Sequence, residues 1–454
     1  MKFFGTDGVR GIANLGHLSP ESAMRLAQIA AMELITQDAS KRPAVIIGKD
    51  TRRSGHMLEN ALASGFNSAG IDVHLAGVLP TPAIAMLVKE QNIDLGIVVS
   101  ASHNPAPDNG IKFFFNDGYK LSKIQEKNLE DRMLSDEKFT ERPTSKGIGT
   151  VKNINNSTEI YVEKVTNDFI KNHSEEMPLN GMKISLDTAN GAAFSTSSSI
   201  LKKLGADVIC HHNSPNGDNI NEDCGCTHPE VISKLVRNDE SLIGISHDGD
   251  ADRILMCDEK ANPVDGDELM AIIGCHLLSK DQLQSKTLVA TKMSNFGLDQ
   301  CIAERGGKVK RADIGDRNVM EMMKKYGSNF GGEPSGHIIC KDHNSTGDGI
   351  IAALAALSAV IDTGKPLSEL RKCLKKFPQK LINLDVLNKI PIEELDAKPI
   401  IEETEKALGD EGQVLIRYSG TEPKIRILIE GKDPEFVDSQ ATKIAEVIHQ
   451  QIGS

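Results

Sequence analysis

The 454 residues are 39% hydrophobic and 26% charged, which fits an ordinary soluble globular chain with room for roughly two to four domains. A formal net charge of −12 argues against nucleic acid as the main partner, because phosphate backbones recruit basic surfaces. It leaves small phosphorylated ligands open, since these need only a few local cations and amide donors.

In chain order, the opening MKFFGTDGVRG meets Gly, Thr and Asp at once and lacks a signal-peptide core, so a cytoplasmic location is expected. Three stretches then share one pattern: Ala44 to Gly77, Lys183 to Asn213 and Thr287 to Gly315. Each reads as an apolar strand, a polar Gly-containing corner, an amphipathic helix, a glycine and a second strand, a βαβ unit. Their recurrence predicts three related α/β domains. The longest apolar run, Gly349 to Ile361, has 13 residues between Asp348 and Asp362 and suits a buried helix better than a bilayer span, so no membrane partner is expected. Beyond it, RKCLKKF reads as a basic helix, KLINLDVL and KIRILIEG as strands, and PEFVDSQATKIAEVIHQQI as a closing helix. These make a smaller α+β unit. The expected domains are 1–155, 156–256, 257–370 and 371–454. Eight cysteines are scattered, with only Cys224 and Cys226 close together, and are expected to be reduced thiols.

Four loops carry chemistry. In VVSASHNPAPDNGIKFF, Ser102 and His103 follow a buried strand, at the carboxyl end where open α/β sheets place ligands. A helix-capping serine is the bland alternative. A serine hydrolase is disfavoured, because the G-x-S-x-G elbow is missing and an adjacent His points away on most backbones. Lys112 returns a cation to the same rim. In ISHDGDADRILMCDE, Asp248, Asp250 and Asp252 crowd together and need a hard divalent cation. An EF-hand is excluded because Arg253 stands where its sharp turn needs Gly. In GGEPSGHII, Glu333 and Ser335 suit sugar hydroxyls, and His337 offers a proton acceptor. In RYSGTEPKIRI, Arg417, Ser419, Gly420 and Thr421 make an anion cradle with Arg426 close by. Together they point to phosphoryl transfer to a sugar through a phosphorylated Ser102, with the metal on one oxygen and Arg10, Lys112 and Arg253 offsetting the anionic charge. A silent sugar-phosphate sensor and a metal-dependent phosphatase are the other classes to weigh.

The whole chain resembles the α-D-phosphohexomutase superfamily. FGTDGVRG, GKDTRRSG, PTPA, SASHNP, DGDADR, VDGDEL, TKMSNFGL, IGDR, TGDG and RYSGTEP occur in the family's order. The resemblance implies an α/β fold of four domains around a central cleft, three related and with mixed sheets, plus a smaller C-terminal α+β domain. It implies that Ser102 is the phosphoserine and that Asp248, Asp250 and Asp252, with Ser102, hold one Mg2+. It places Glu333 and Ser335 in the sugar loop and Arg417 to Thr421 in the phosphate loop. Arg10, His103, Lys112 and His337 fall among the cationic and acid/base groups. The implied reaction exchanges the 6- and 1-phosphates of a hexose through a 1,6-bisphosphate. Glucosamine is favoured by FGTDGVRG, with glucosamine 1,6-bisphosphate as activator and a product feeding UDP-N-acetylglucosamine; mannose and glucose phosphates are the alternatives. A homodimer and a last domain closing on a hinge near Thr363 to Leu367 are further expectations. Ala251, Pro334 and Cys226 depart from the subfamily's usual Gly, Gln and Ser.

Overall fold

Ala44–Lys49 is buried along its whole length, and a β-branched, apolar stretch buried on both faces is the signature of a central parallel strand. In the computed structural model, which describes residues 3–5, 7–35, 41–135, 142–419 and 423–453, it is β2 of a six-stranded sheet. That sheet holds β1 (Val9–Ile12), β2, β3 (Asp72–Val78), β4 (Leu95–Val99), β5 (Asp108–Phe115) and β6 (Val151–Asn153), ordered β1-β5-β4-β2-β3-β6. A second sheet, ordered β11-β10-β9-β7-β8, contains β7 (Lys183–Asp187), β8 (Asp207–His211), β9 (Ile243–His247), β10 (Ile254–Cys257) and β11 (Pro263–Val264). The third, β13-β12-β14-β15, contains β12 (Thr287–Thr291), β13 (Lys308–Ala312), β14 (Phe330–Gly332) and β15 (Ile338–Cys340).

The three sheets share a plan. A βαβ unit pairs two strands in parallel: β2 with β3, β7 with β8, β12 with β13. A third strand joins the first in parallel (β4, β9, β14), and a fourth turns back antiparallel to it (β5, β10, β15). The three expected βαβ stretches are these units. The fourth sheet is antiparallel, β16 (Gln379–Asp385), β18 (Lys424–Gly431) and β17 (Gly412–Tyr418), covered by the helix Pro434–Ile452 whose N-cap is Asp433. Mixed sheets in three α/β domains and a smaller α+β tail are therefore the fold.

Two details differ from expectation. The boundary placed at 256 falls inside β10, which stays paired with β9, so the second sheet runs on to Val264. RKCLKKF forms one short 3-10 turn, Arg371–Cys373, rather than a helix. Arg371 pairs with Glu268 of the third domain and Asp258 of the second, Lys376 pairs with Asp265, and Pro378 follows.

One hydrophobic core runs continuously through the first three domains, including Ile84, Phe114, Tyr161, Ile245, Leu269 and Leu354. The fourth domain has its own, around Ile427, Ile444 and Ile448. The apolar run Gly349–Thr363 is a largely buried helix, capped by Asp348 accepting from the Ile351 amide and by Gly364 in the left-handed region. No single helix among the described residues is long and apolar enough to cross a membrane. All eight cysteines are free.

Candidate active site

The shared plan puts three of the four chemical loops in equivalent places. The connection from third to fourth strand carries Ser102 in the first domain, Asp248, Asp250 and Asp252 in the second, and Glu333, Ser335 and His337 in the third. These loops meet. Ser102 Oγ lies 2.5 Å from Asp248 Oδ2, and the Ile254 amide at the end of the acidic loop donates to Gly336 O in the sugar loop at 3.1 Å. Gly336 has φ of 86°, and a Cβ there would stand 1.9 Å from Ile254 O, so only glycine admits this contact.

Ser102 is held from below. Its amide donates to Ser100 Oγ (2.9 Å), and that hydroxyl donates to Asp50 (2.6 Å). The Arg52 guanidinium, wholly buried and paired with Asp50 at 2.9 Å, donates to the carbonyls of Ser102 (3.0 Å), Asn104 (2.8 Å), Pro105 (2.5 Å) and Asp108 (3.0 Å). Asn221 of the second domain donates to the Ser102 carbonyl as well, at 2.8 Å. Ser102 itself has φ of 53°. In that left-handed conformation His103 does not point away: its Nδ1 is 3.4 Å from Ser102 Oγ.

The acidic trio is buried, and ligand oxygens of Asp248, Asp250 and Asp252 lie within 4.8 Å of one another. Burial, then the Asp252 and Asp250 charges, push the Asp248 carboxyl up to about 8. Two further carboxylate oxygens, Asp250 Oδ1 and Asp252 Oδ1, are buried without a hydrogen-bond partner. Crowded, unsatisfied oxygens beside the Ser102 hydroxyl fit a hard divalent cation with oxygen ligands.

Cations ring the trio. Lys112, on β5, reaches Asp250 at 2.8 Å, Asp7 at 3.1 Å and Asp252 at 3.4 Å. Burial works against its charge, but Asp250, Asp7 and Asp252 outweigh it and hold the ammonium. Arg10 pairs with Asp7 at 2.8 Å. Arg253 Nε lies 3.9 Å from Asp252, and its amide donates to Asp248 at 3.2 Å.

The two histidines differ. Burial, then the Arg253 and Arg10 guanidiniums, push His103 down to about 4, so it is neutral near pH 7 and free to accept a proton. His337 sits between Asp252 (3.7 Å from Nδ1) and Asp316 (3.8 Å from Nε2), and these carboxylates outweigh its burial to raise it. The Gly347 amide, 3.2 Å from Nε2, favours the neutral ring, so Nδ1 keeps its proton toward Asp252 in either state.

In the sugar loop, Glu333 accepts from the Gly315 amide (2.9 Å) and the Ser335 hydroxyl (3.3 Å). Pro334 lies in the tight turn that the Gly336 amide closes onto Glu333 O at 3.0 Å. Arg417 and Arg426 lie on the fourth sheet, opposite one another on β17 and β18. The Ser419 amide closes the same hairpin onto Lys424 O at 2.8 Å, and Gly420 and Thr421 lie outside the described residues. Sequence reasoning gave no role to Asp7, Arg52, Thr81, Lys120, Asn221 or Asp316. Thr81 donates to Asp250 at 2.6 Å, and Lys120 bridges Asp7 and Asp316, tying the first domain to the third. Several of these stand inside the quoted motifs FGTDGVRG, GKDTRRSG, PTPA and IGDR.

The four family descriptions of phosphoglucomutase/phosphomannomutase match the chain in order: alpha/beta/alpha domain I at residues 1–140, domain II at 159–262, domain III at 265–377 and the C-terminal domain at 381–447. The chain belongs to the phosphoglucomutase/phosphomannomutase family. It is accordingly an enzyme of the mutase type, within the isomerases. A phosphoglucosamine mutase of Pelobacter propionicus is 46% identical over 455 residues, covering 100% of this chain and 99% of the relative. Among solved structures, a phosphoglucomutase/phosphomannomutase family protein from Burkholderia thailandensis has a TM-score of 0.78 at 21% identity, covering 99% of this chain and 97% of that one. An Aspergillus fumigatus N-acetylphosphoglucosamine mutase, in complex with GlcNAc-6P and magnesium, has a TM-score of 0.69 at 16% identity, covering 100% and 96%. At these identities the two structures speak for the fold.

Proposed function

We propose that this family member is a phosphoglucosamine mutase, interconverting glucosamine 6-phosphate and glucosamine 1-phosphate through a phosphorylated Ser102 and glucosamine 1,6-bisphosphate. The observation that carries the reading is the juxtaposition of one gripped serine hydroxyl with three buried, crowded carboxylates. A full-length relative of that name at 46% identity supports the choice of sugar. Mannose and glucose phosphates are the alternatives, given Pro334 in the sugar loop.

Asp248, Asp250 and Asp252, with the Ser102 oxygen, would hold one Mg2+. When bound, the ion withdraws charge from the phosphoryl group and stabilises the departing serine oxygen. The chain's own residues do the rest. Arg52 and Asn221 aim the serine through its carbonyl. Lys112, Arg10 and Arg253 keep the assembly of carboxylates and phosphate from repelling itself. Neutral His103 is placed to take the proton of the attacking sugar hydroxyl, and His337 keeps one beside Asp252. Glu333 and Ser335 accept sugar hydroxyls. Arg417, Ser419, Gly420, Thr421 and Arg426 hold the phosphate that is not reacting, in both poses of the bisphosphate. The enzyme would work in the cytoplasm on small sugar phosphates, without nucleic acid or membrane, as a homodimer.

Phosphopeptide mapping tests the core of this. One phosphate is expected on Ser102, lost to glucosamine monophosphate, and Ser102→Ala should lower turnover by about 10³-fold or more. Turnover that survives the substitution would sink the phosphoserine. Side-by-side kcat/KM values on glucosamine, mannose and glucose phosphates decide the sugar.

A further inference from the structure

We infer that Cys275, Cys301 and Cys373 form a three-sulfur site for a thiophilic cation of the zinc class, joining the third domain to the segment that leads into the fourth. The three residues come from separate elements: the helix Gly266–Ser279, the helix Gly297–Ala303 and the turn Arg371–Cys373. Their sulfurs all lie within 4.8 Å of one another, the pair Cys275 and Cys301 at 3.5 Å. Tetrahedral zinc with bonds of about 2.3 Å sets its sulfurs about 3.8 Å apart, so the site needs little adjustment. Soft thiolates select this class of ion over the hard Mg2+ that suits the aspartates.

Access and charge also fit. Cys301 is buried, while Cys275 and Cys373 are half-buried and leave a route from solvent. The Arg305 guanidinium lies 3.6 Å from the Cys301 sulfur and donates to its carbonyl at 2.8 Å, offsetting the negative charge of three thiolates around a divalent ion. On binding, sulfur–metal bonds form and the thiol protons leave to solvent. Cys373 is held in place independently, because Arg371 pairs with Glu268 (2.6 Å) and Asp258 (3.2 Å). By contrast, the grouping of Asp187, His212 and Cys224 is already satisfied: Asp187 accepts from the Ala189 and Gly225 amides, Ser246 and His212.

The test is a Cd2+ titration of the reduced, chelator-treated full-length protein in excess Mg2+, read by thiolate-to-cadmium charge-transfer absorption and competed with Zn2+. One equivalent should bind. Cys301→Ser and Cys373→Ser should each raise Kd about tenfold or more, while Cys224→Ser leaves it unchanged. Should Cys301→Ser fail to fold, Cys275→Ser and Cys373→Ser carry the test, with thermal melts as control. Mutase activity of Cys373→Ser in Mg2+ should match the parent. The inference falls if no charge-transfer band appears, if neither Cys275→Ser nor Cys373→Ser weakens it, or if Cys224→Ser abolishes it.

Discussion

Ser102 has a left-handed backbone, φ 53°, a conformation unfavourable by about 1–2 kcal/mol for a residue with a Cβ. The strain persists because Arg52 satisfies four carbonyls of the loop at once. Lysine would keep the charge against Asp50 but offers a point cation in place of a planar fork. Arg52→Lys should therefore lower kcat by about 10- to 100-fold through misplacement of the serine; an unchanged kcat would show that the loop holds itself. Ala251, in the acidic loop, is also left-handed at φ 56°. Ala251→Gly relieves that strain at the expense of a freer unfolded chain, a net gain of about 0.5–1 kcal/mol. A urea midpoint that falls would refute it. At this scale Ser102 and the aspartates were legible because hydroxyl and carboxylate chemistry is written in residue type. Arg52 and Asp7 were not, because their roles lie in what they reach, 50 residues away for Arg52 and 105 for the Asp7–Lys112 pair.

The connection between third and fourth strands is the element on which the site is built, used once in each α/β domain. Read alone, the loop of Glu333 and Ser335 gave a weak signal and the acidic loop a strong one; the repeated position explains why all three loops meet. The fourth loop follows another logic. Arg417 and Arg426 are register partners on neighbouring strands, which brings two guanidinium-bearing side chains to one hairpin. Burial, then Arg426, push Arg417 down. Arg417→Ala should raise KM about 10- to 100-fold without loss of thermal stability. A KM that stays put would remove Arg417 from the phosphate cradle. RKCLKKF shows the limit of periodicity at this scale, since its helical pattern gave way to ion pairs with Glu268, Asp258 and Asp265.

Over the whole molecule, one core runs through the first three domains, another lies within the first alone, and the fourth keeps its own. The segment expected to hinge is packed at its end: Leu367 is buried, Ser368 donates to Glu259, and further on Asn295 and Phe377 bond to each other. If the fourth domain moves, this packing favours flexing beyond Phe377, toward β16. Solution scattering should show a smaller radius of gyration on adding sugar phosphate, as the fourth domain closes to exclude water; identical curves with and without ligand would count against closure.

By itself the sequence determined the strand–helix–strand repeats and singled out Ser102, the acidic trio and the Arg417 loop as candidates, because burial patterns and donor inventories act locally. Only the tertiary structure decided which charges meet: Asp7 with Lys112, Lys120 with Asp316, three sulfurs from three elements. Such pairings depend on how sheets pack against one another, and nothing in a local run of residues records that distance.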